Sequence, residues 1–336
     1  MLQLANQTGF AATMLAAPDP DGIDSLYTVV KGTFSLAQLD ASGVPARADE
    51  QVQPVLASEH YGDPAASSIR LPSDLSLMKP STDVLLLGTA YAPNRATTWM
   101  DVSLSVGAVR KIVRVFGDRS WRGSISAGAT APARFEQVPL VWERAYGGID
   151  HAKGEARGEP RNPVGAGYRA NDGEKELDGL ALPNLEDPYD PITSWKHTPA
   201  PAAFAPVCPQ WQPRVSFAGT YDDAWQSKRA PYLPHDFDAR FFQLAPPGLV
   251  APAYLQGGEV IDITGATPSG RLMCRVPTVP LQVDYRLDNS TQSPPLRLDT
   301  VIVEPDQARL VLVWRTTLAC DKKLLRIREI IVRPAT

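Results

Sequence analysis

The sequence predicts a mainly β protein with a sandwich-like core, long ordered loops rich in proline and aromatic residues, and little helix. β-branched and aromatic runs lie near both ends, and prolines interrupt every regular pattern between them. The 336 residues are 43% hydrophobic, which suffices for one large core or two ordinary ones. We expect one unit, 1–336, in which a β-rich part (1–144) and a loop-rich part (145–250) precede a β-rich part (251–336) that returns to the core.

Three stretches in the first third predict strands. SLYTVVKGTFSL (25–36) is rich in β-branched and aromatic residues, and TDVLLLGTAYA (82–92) is a short apolar run that ends in a turn. WMDVSLSVGAVRKIVRVFGDR (99–119) alternates apolar with polar residues before and after Gly107. This alternation around a glycine predicts a hairpin.

The C-terminal part repeats this character. LRLDTVIVEPDQARLVLVWRTTL (296–318) places Pro305 and Asp306 between two strand-like runs, which is a strong hairpin signal. The final run, KKLLRIREIIVRP (322–334), is expected to be a strand that pairs with this hairpin, with a short helix as the alternative.

The middle of the chain predicts irregular but ordered structure. Ten prolines lie between 183 and 234, and they prevent long regular elements. The same region is too aromatic for a solvated linker, so we expect loops that pack over the β core. One short helix is expected near TYDDAWQSKRA (220–230), where Asp222 or Asp223 would cap it.

Composition excludes several classes of protein. The formal net charge is −4 and there is no long basic block, so no nucleic-acid partner is expected. No segment approaches eighteen consecutive apolar residues and the N-terminus lacks the features of a secretory signal, so we expect a cytoplasmic protein with no membrane partner. Cys208, Cys274 and Cys320 are far apart and are expected to be reduced and mostly buried.

VPLVWERAYGGID (138–150) begins as an apolar strand and ends at Gly147 and Gly148, which allow a turn with positive φ. On a strand, Trp142, Arg144 and Tyr146 would share one face. An exposed aromatic–arginine platform would suit a protein partner. The alternative is an internal clamp, in which the arginine holds a loop carbonyl or a carboxylate.

Two neighbouring motifs are better explained as turns than as ligand sites. RNPVGAGY (161–168) lacks the Gly-Lys-Ser/Thr ending of a phosphate loop, so we expect a tight turn at Asn162 and Pro163. LPNLEDPYDP (182–191) gathers carboxylates but lacks the ligand spacing of a calcium loop. We expect those carboxylates to accept backbone N–H bonds.

YLPHDFDARFFQLAPP (232–247) has the look of a metal or acid/base site, because a histidine and two aspartates lie within four positions. If it is extended, Asp236, Asp238 and Arg240 share a face and form a carboxylate–arginine brace. If it opens a helical turn, Asp236 or Asp238 is an N-cap. Both alternatives use the aspartates without metal and leave Phe241 as an anchor.

No motif in the sequence indicates nucleophilic catalysis. There is no Gly-x-Ser-x-Gly elbow, and the four histidines have no adjacent nucleophile signature. We expect no catalytic residue, no cofactor and no metal.

Five motifs in order make the chain similar to a known family. It resembles a bacterial family, long labelled a domain of unknown function, that is encoded beside type VI secretion spike, PAAR-tip and effector genes. The resemblance rests on WERAYGG (142–148), RNPVGAGY (161–168), LPNLEDP (182–188), AGTYDDAWQSKRAPYLPHDFDARFFQLAPP (218–247) and DTVIVEPDQARLVLVWR (299–315). One departure is Gly248-Leu249-Val250, where similar proteins commonly continue with an Asp-Gln pair.

The resemblance implies a non-enzymatic adaptor or chaperone that binds a type VI secretion effector, often PAAR-containing, and helps load it onto the VgrG spike. The alternatives are a metal-dependent hydrolase using His235, Asp236 and Asp238 with a remote carboxylate such as Glu186, or a structural accessory of the spike. The candidates for partner binding, or for bracing the motifs, are Trp142, Arg144, Tyr146, Gly147, Gly148, Asn162, Pro163, Tyr221, Trp225, Asp236, Asp238, Arg240 and Phe241.

Overall fold

The computed structural model describes residues 3–123, 128–151, 156–170, 177–320, 324 and 326–335. Its strands are β1 Gln3–Asn6, β2 Ala11–Pro18, β3 Asp24–Leu39, β4 Pro45–Arg47, β5 Glu59–His60, β6 Ile69–Leu71, β7 Asp83–Leu86, β8 Thr89–Tyr91, β9 Trp99–Val106, β10 Val109–Phe116, β11 Arg119–Arg122, β12 Gly128–Ala129, β13 Gln137–Pro139, β14 Tyr146–Gly147, β15 Ile149–Asp150, β16 Arg157–Gly158, β17 Ala166–Gly167, β18 Ala181–Leu182, β19 Leu185–Glu186, β20 Val260–Thr264, β21 Arg271–Arg275, β22 Leu281–Leu287, β23 Thr291–Gln292, β24 Arg297–Glu304, β25 Arg309–Ala319 and β26 Ile327–Pro334.

Helix is scarce in the described part of the chain. It consists of α1 Asp223–Lys228 and of short 3₁₀ helices at Trp142–Arg144, Arg214–Phe217, Ala239–Phe242 and Pro305–Gln307. The mainly β prediction is confirmed. None of the described helices is long and apolar enough to cross a membrane.

The largest sheet joins the two ends of the chain. Its strand order is β2-β3-β25-β24-β7, with β4 beside β3. The long strand β3 pairs with β25 over eleven positions, from Ser35↔Arg309 to Ser25↔Ala319. The hairpin β24–β25 turns through Pro305–Gln307, as predicted, and ends that turn at Ala308 with φ of 48°. Strong β propensity at both ends thus builds a single sheet.

A second sheet and a third sheet share the core with the first. The second has the order β19-β10-β9-β20-β21, and the third β1-β26-β22-β23. Val30 of β3, Val102 of β9 and Val283 of β22 are all fully buried in one hydrophobic cluster. The predicted hairpin at Gly107 is confirmed as β9–β10. Because one apolar cluster lies between several sheets, the architecture is sandwich-like.

The final strand has different neighbours from those predicted. β26 is a strand, but it pairs with β1 and β22 rather than with the 296–318 hairpin. Within that hairpin, β25 is already flanked by β3 and β24, and β24 by β7. Neither strand therefore has a free edge to offer. Residues 322, 323 and 325 of the predicted run lie outside the described residues.

The 82–92 run forms two strands. β7 runs parallel to β24 in the large sheet, whereas β8 pairs with β13. The chain changes partners at Gly88, whose carbonyl accepts from the Leu140 N–H at 3.0 Å. The apolar run was recognised correctly, but its division depends on contacts that are distant in sequence.

The middle region is a set of ordered loops that also supplies core. Every residue from 202 to 208 is buried although none belongs to a strand or helix. Phe204 is fully buried and Trp211 nearly so. The three cysteines are free and buried, as expected. Long ordered loops are therefore confirmed, and their apolar side chains complete the sandwich.

Candidate partner-binding site

The structure separates the candidate residues into two groups in different environments. The first group is packed into or against the body of the protein: Trp142, Arg144, Tyr146, Gly147, Gly148, Asn162 and Pro163. The second group belongs to a segment whose residues are mostly exposed or half-buried: Tyr221, Trp225, Asp236, Asp238, Arg240 and Phe241. We call residues 214–242 the arm.

Of the two alternatives for Trp142, Arg144 and Tyr146, the exposed platform is wrong. Residues 142–144 form a 3₁₀ helix, so the three side chains do not share a strand face. Trp142 is buried with its ring edge-on to Trp211 at 5.9 Å. Arg144 donates to Asn184 Oδ1 at 3.0 Å. The 3₁₀ turn buries the Trp142 indole. Arg144 does act as a clamp, on the Asn184 amide and 3.7 Å from the Asp118 carboxylate, but its side chain is 46% exposed, so the clamp lies at the surface and not inside the protein.

Asn162 holds the WERAYGG motif in place. Its side chain is fully buried, and its Nδ2 donates to the carbonyls of Trp142 at 2.8 Å and Tyr146 at 2.9 Å. Gly148 also donates its N–H to the Asn162 carbonyl at 2.9 Å. The half-buried Pro163 follows directly. The first two motifs therefore form one interlocked turn, consistent with a bracing role.

The 182–191 motif is a turn cluster, as expected. Asp187 accepts from the Tyr189 N–H at 2.9 Å, and Asp190 from the Ala200 N–H at 3.3 Å. Glu186 accepts from Arg119 at 2.5 Å and from the Ile192 N–H at 3.0 Å. In the ranges that the structure describes, no group of three or more His, Cys, Asp or Glu side chains is arranged to hold a metal ion.

The arm leaves the body at Arg214 and folds back on itself. The buried Arg214 guanidinium donates to the carbonyls of Val207 at 2.5 Å and Phe241 at 3.0 Å. Burial lowers the pKa of Arg214 to about 10, so the side chain stays charged at neutral pH. Further out, the Asp238 N–H donates to Phe217 O at 3.0 Å. The start and the end of the arm are thereby fastened together.

The two aspartates of the HDFD cluster face different partners. Asp236 accepts from both the N–H and the hydroxyl of Thr220, at 3.0 and 2.7 Å. Asp238 caps the 3₁₀ helix by accepting from the Arg240 N–H at 2.9 Å, and its other oxygen binds the Arg240 guanidinium. The N-cap and the brace are both confirmed at Asp238, whereas the fully extended alternative is wrong.

A small aromatic core stiffens the arm. The rings of Phe237, Phe241 and Phe242 lie 5.3–5.7 Å apart. The Arg240 guanidinium covers the Phe217 ring at 4.3 Å. Because these contacts lie within the arm, it can present a surface at little cost in conformational entropy.

Helix α1 forms where the sequence predicts it. Asp222 is its N-cap and accepts from the Trp225 N–H at 2.8 Å. Trp225 also donates its indole N–H to Tyr232 O at 2.8 Å. Tyr221 packs edge-on to that indole at 4.7 Å and is itself 53% exposed. Trp225 on the helix and Tyr221 just before its N-cap therefore form an aromatic pair, in which Trp225 is held by Tyr232 and Tyr221 is exposed.

Beside this pair lies a cavity of about 320 Å³, which we call the arm pocket. Its lining residues are Thr220, Asp222, Ala224, Trp225, Lys228, Arg229, Pro234, His235 and Asp236. Ala224, Trp225 and Pro234 supply apolar surface. A concave surface with aromatic lining and a few polar groups is typical of a recognition site.

The arm also contacts the turn between β2 and β3. Arg229 donates to Pro20 O at 2.6 Å and to Leu233 O at 2.9 Å. Gly22 has φ of 86°, and a Cβ there would come within 3.3 Å of the Tyr232 ring. The arm is therefore positioned by the large sheet as well as by its own base.

Acid is expected to loosen the arm. Hydrogen bonds from Thr220 lower the pKa of Asp236, and those from Arg240 lower the pKa of Asp238. A carboxyl with a depressed folded pKa stabilises above its unfolded pKa of about 3.9, and that stabilisation is lost as pH falls through the folded pKa. Amide hydrogen exchange should show protection of residues 217–240 retained near pH 6 and lost as the pH falls below the unfolded pKa of about 3.9 and through the lowered folded pKa values.

The matched variant is the double substitution Asp236→Asn and Asp238→Asn. It should show weak protection of the arm already at neutral pH and little further change in acid. Equal protection of the wild-type arm at both pH values, after correction for intrinsic exchange, would contradict the assignment of these carboxylates as fasteners.

Comparison with known proteins identifies one matching family. The model of a family described as an uncharacterized protein conserved in bacteria, DUF2169, matches residues 21–315. The chain belongs to the DUF2169 family. No curated protein and no solved structure matches it. The match takes in the whole arm of this DUF2169 protein and most of the large sheet.

Sequence reasoning missed part of the site in this DUF2169 chain. Ala224 and Lys228 were not among the candidates, although they are four residues apart on α1 and both line the arm pocket. Helical spacing around Trp225 was a signal that could have found them. Pro234 and Arg229 could not be placed there without the fold.

Proposed function

We propose that this protein is a non-enzymatic adaptor or chaperone of type VI secretion that binds an effector, in particular a PAAR-containing one, and helps load it onto the VgrG spike. The bacterial family and the five ordered motifs support the proposal. The observation that carries it is the arm, an internally braced and largely exposed segment that presents Tyr221 beside a pocket.

The arm has the properties of a binding surface for protein. Tyrosine, tryptophan and arginine are enriched among residues that dominate binding energy. In the arm these types are held by internal contacts, as in the pairs Tyr221–Trp225 and Arg240–Phe217. A surface that is already ordered loses little entropy on binding.

No observation favours the hydrolase alternative. The carboxylates of Asp236 and Asp238 are engaged with Thr220 and Arg240. Glu186 is a residue of β19, where its carboxylate binds Arg119 and accepts from the Ile192 N–H. The same cluster is fully explained as the fastening of a protein-binding segment.

Substitution of Tyr221 with alanine is expected to weaken client capture about thirtyfold or more, since loss of an aromatic hot spot costs about 2 kcal/mol or more. Tyr221 is half-exposed and packs on Trp225, so the fold should be retained. The measurement is quantitative co-purification of the effector from the bacterial host with tagged protein.

Tyr189→Ala is the matched control, because Tyr189 is 83% exposed and lies outside the arm. It should capture the client as wild type does. A strain that lacks the gene should fail to deliver that effector. Delivery should be restored by the wild-type gene in trans and equally by the gene that carries Tyr189→Ala. Normal loading and delivery in the deletion strain would refute the adaptor function.

A further inference from the structure

We propose that the arm pocket receives one large apolar side chain from an extended segment of the client, and that Lys228 binds a carboxylate of an adjacent Asp or Glu in that segment. This inference rests on the proposed function, because it names the chemistry of the segment that an adaptor would recognise.

The size and lining of the arm pocket determine which apolar side chain of the client can bind there. At about 320 Å³ it is at the lower end of the range of ligand cavities, about 300–1,000 Å³. That space suits one large side chain rather than a folded element. The lining from Ala224, Trp225 and Pro234 offers apolar contact on more than one side, and burial of an apolar side chain there is favourable.

The hydrogen-bonding groups at the rim of the arm pocket determine which polar group of the client can bind there. Both oxygens of Asp236 accept from Thr220, and one oxygen of Asp222 caps α1. Arg229 is occupied by the backbone carbonyls of Pro20 and Leu233. Asp236 and Arg229 are therefore committed to holding the arm together, whereas the second oxygen of Asp222 has no hydrogen bond to the described residues.

Lys228 and His235 are the rim side chains that can still donate a hydrogen bond. Among the described residues, neither side chain makes a hydrogen bond or an ion pair, and both residues are exposed. Lysine offers three N–H donors and no acceptor, and a neutral imidazole offers one donor and one acceptor. Lys228 is the cation of the rim that has no hydrogen bond or ion pair among the described residues, so the complementary group on the client is an acceptor with negative charge that approaches Lys228.

An extended client segment meets both requirements at once. Its apolar side chain enters the pocket while the next residue, which points the other way along the chain, stays near the rim. The carboxylate of that neighbour can then reach the Lys228 ammonium. A site of this form selects the order apolar–acidic and discriminates against apolar–basic.

The test uses fluorine NMR of the full chain labelled with 5-fluorotryptophan. The chain has seven tryptophans, and the Trp225 resonance is assigned from Trp225→Phe. The probes are the hexapeptides Gly-Ser-Phe-Asp-Ser-Gly, Gly-Ser-Phe-Lys-Ser-Gly and Gly-Ser-Gly-Asp-Ser-Gly, titrated to about 5 mM, which detects affinities in the millimolar range. We expect the first to shift the Trp225 resonance with an affinity about tenfold higher than that of either other peptide.

Lys228→Glu should abolish the preference for the Phe-Asp peptide over the Phe-Lys peptide. Lys196→Glu makes the same charge change at an exposed site outside the arm and should leave the preference unchanged. Three results would overturn the inference: no Trp225 shift with the Phe-Asp peptide, equal affinity for the Phe-Asp and Phe-Lys peptides, or equal affinity for the peptide without phenylalanine, which would indicate an anion site only.

Failure of this inference and failure of the proposed function give different results. If the adaptor function holds but the pocket does not act as described, the intact protein still captures its client while the peptide preference is absent. If the adaptor function fails, no effector is captured from the host, whatever the peptides do.

Discussion

Replacement of Asp299 with alanine is expected to lower the free energy of unfolding by about 3–5 kcal/mol, the usual cost of breaking a buried ion pair. The Asp299 and Arg315 side chains are each 1% exposed and lie 3.2 Å apart. The Lys79 ammonium is 3.4 Å from the same carboxylate and 2.8 Å from that of Asp83. Loss of one carboxylate leaves two buried cations facing a single anion.

The measurement is chemical denaturation of Asp299→Ala against wild type. The matched control is Asp262→Ala, which breaks an exposed pair with Arg271 and should cost no more than about 1 kcal/mol. A decrease in the free energy of unfolding of less than about 1 kcal/mol for Asp299→Ala would contradict the claim that Asp299 stabilises the buried cations Arg315 and Lys79.

The pH dependence of this cluster follows from the same carboxylate. Burial raises the pKa of Asp299, but the charges of Arg315 and Lys79 outweigh burial, and the folded pKa is lowered. Its stabilising contribution is therefore present above the unfolded pKa and is lost as pH falls through the folded pKa.

The cluster also reaches the base of the arm. Asp83 Oδ2 accepts from the Leu244 N–H at 2.7 Å. The next turn of chain completes the edge of β7, because the Val84 N–H donates to Leu249 O at 2.9 Å. Gly248, with φ of 88°, allows this approach. The departure Gly248-Leu249-Val250 thus supplies a buried leucine and a turn.

Gly147→Ala is expected to cost more than about 3 kcal/mol, because a Cβ would have to occupy space that the backbone already fills. An ideal Cβ at Gly147 would lie 2.0 Å from Asn162 O. That atom belongs to the interlocked turn and cannot move like the end of a flexible side chain. Thermal or chemical unfolding measures the loss.

Gly43→Ala separates this steric cost from the cost of the backbone conformation. Gly43 has φ of 81° and nothing lies within 4 Å of its ideal Cβ. The control should therefore lose only about 1–2 kcal/mol, the cost of a left-handed residue. Equal losses at both glycines would mean that the contact with Asn162 is not the cause.

Sequence periodicity predicted the strands whose signals are local. The hairpin at Gly107, the Pro305 turn and the cap at Asp222 depend on residues a few positions apart. The partners of β26 were mispredicted because they depend on which edges other strands leave free. The 3₁₀ turn at Trp142 was missed because it depends on burial beside Trp211, which lies far away in sequence.

The candidate site was predicted only in part, because some of its contacts are local in sequence and others are not. Trp225 lies on a helix that the sequence indicates, Tyr221 lies just before the N-cap of that helix, and Asp238 with Arg240 forms the expected brace. The pocket itself is formed when the segment around Pro234 folds back on α1. No pattern in the sequence encodes that return.

The central claim is that the arm contacts a type VI secretion effector, and photo-crosslinking in the native host tests it most directly. The photoreactive residue p-benzoylphenylalanine is placed at Tyr221 or, as a control, at Tyr189, both of which are exposed. We predict that irradiation links an effector to the protein labelled at Tyr221 and not to that labelled at Tyr189. Equal crosslinking at both positions, or an effector that co-purifies but is never linked through Tyr221, would contradict the account.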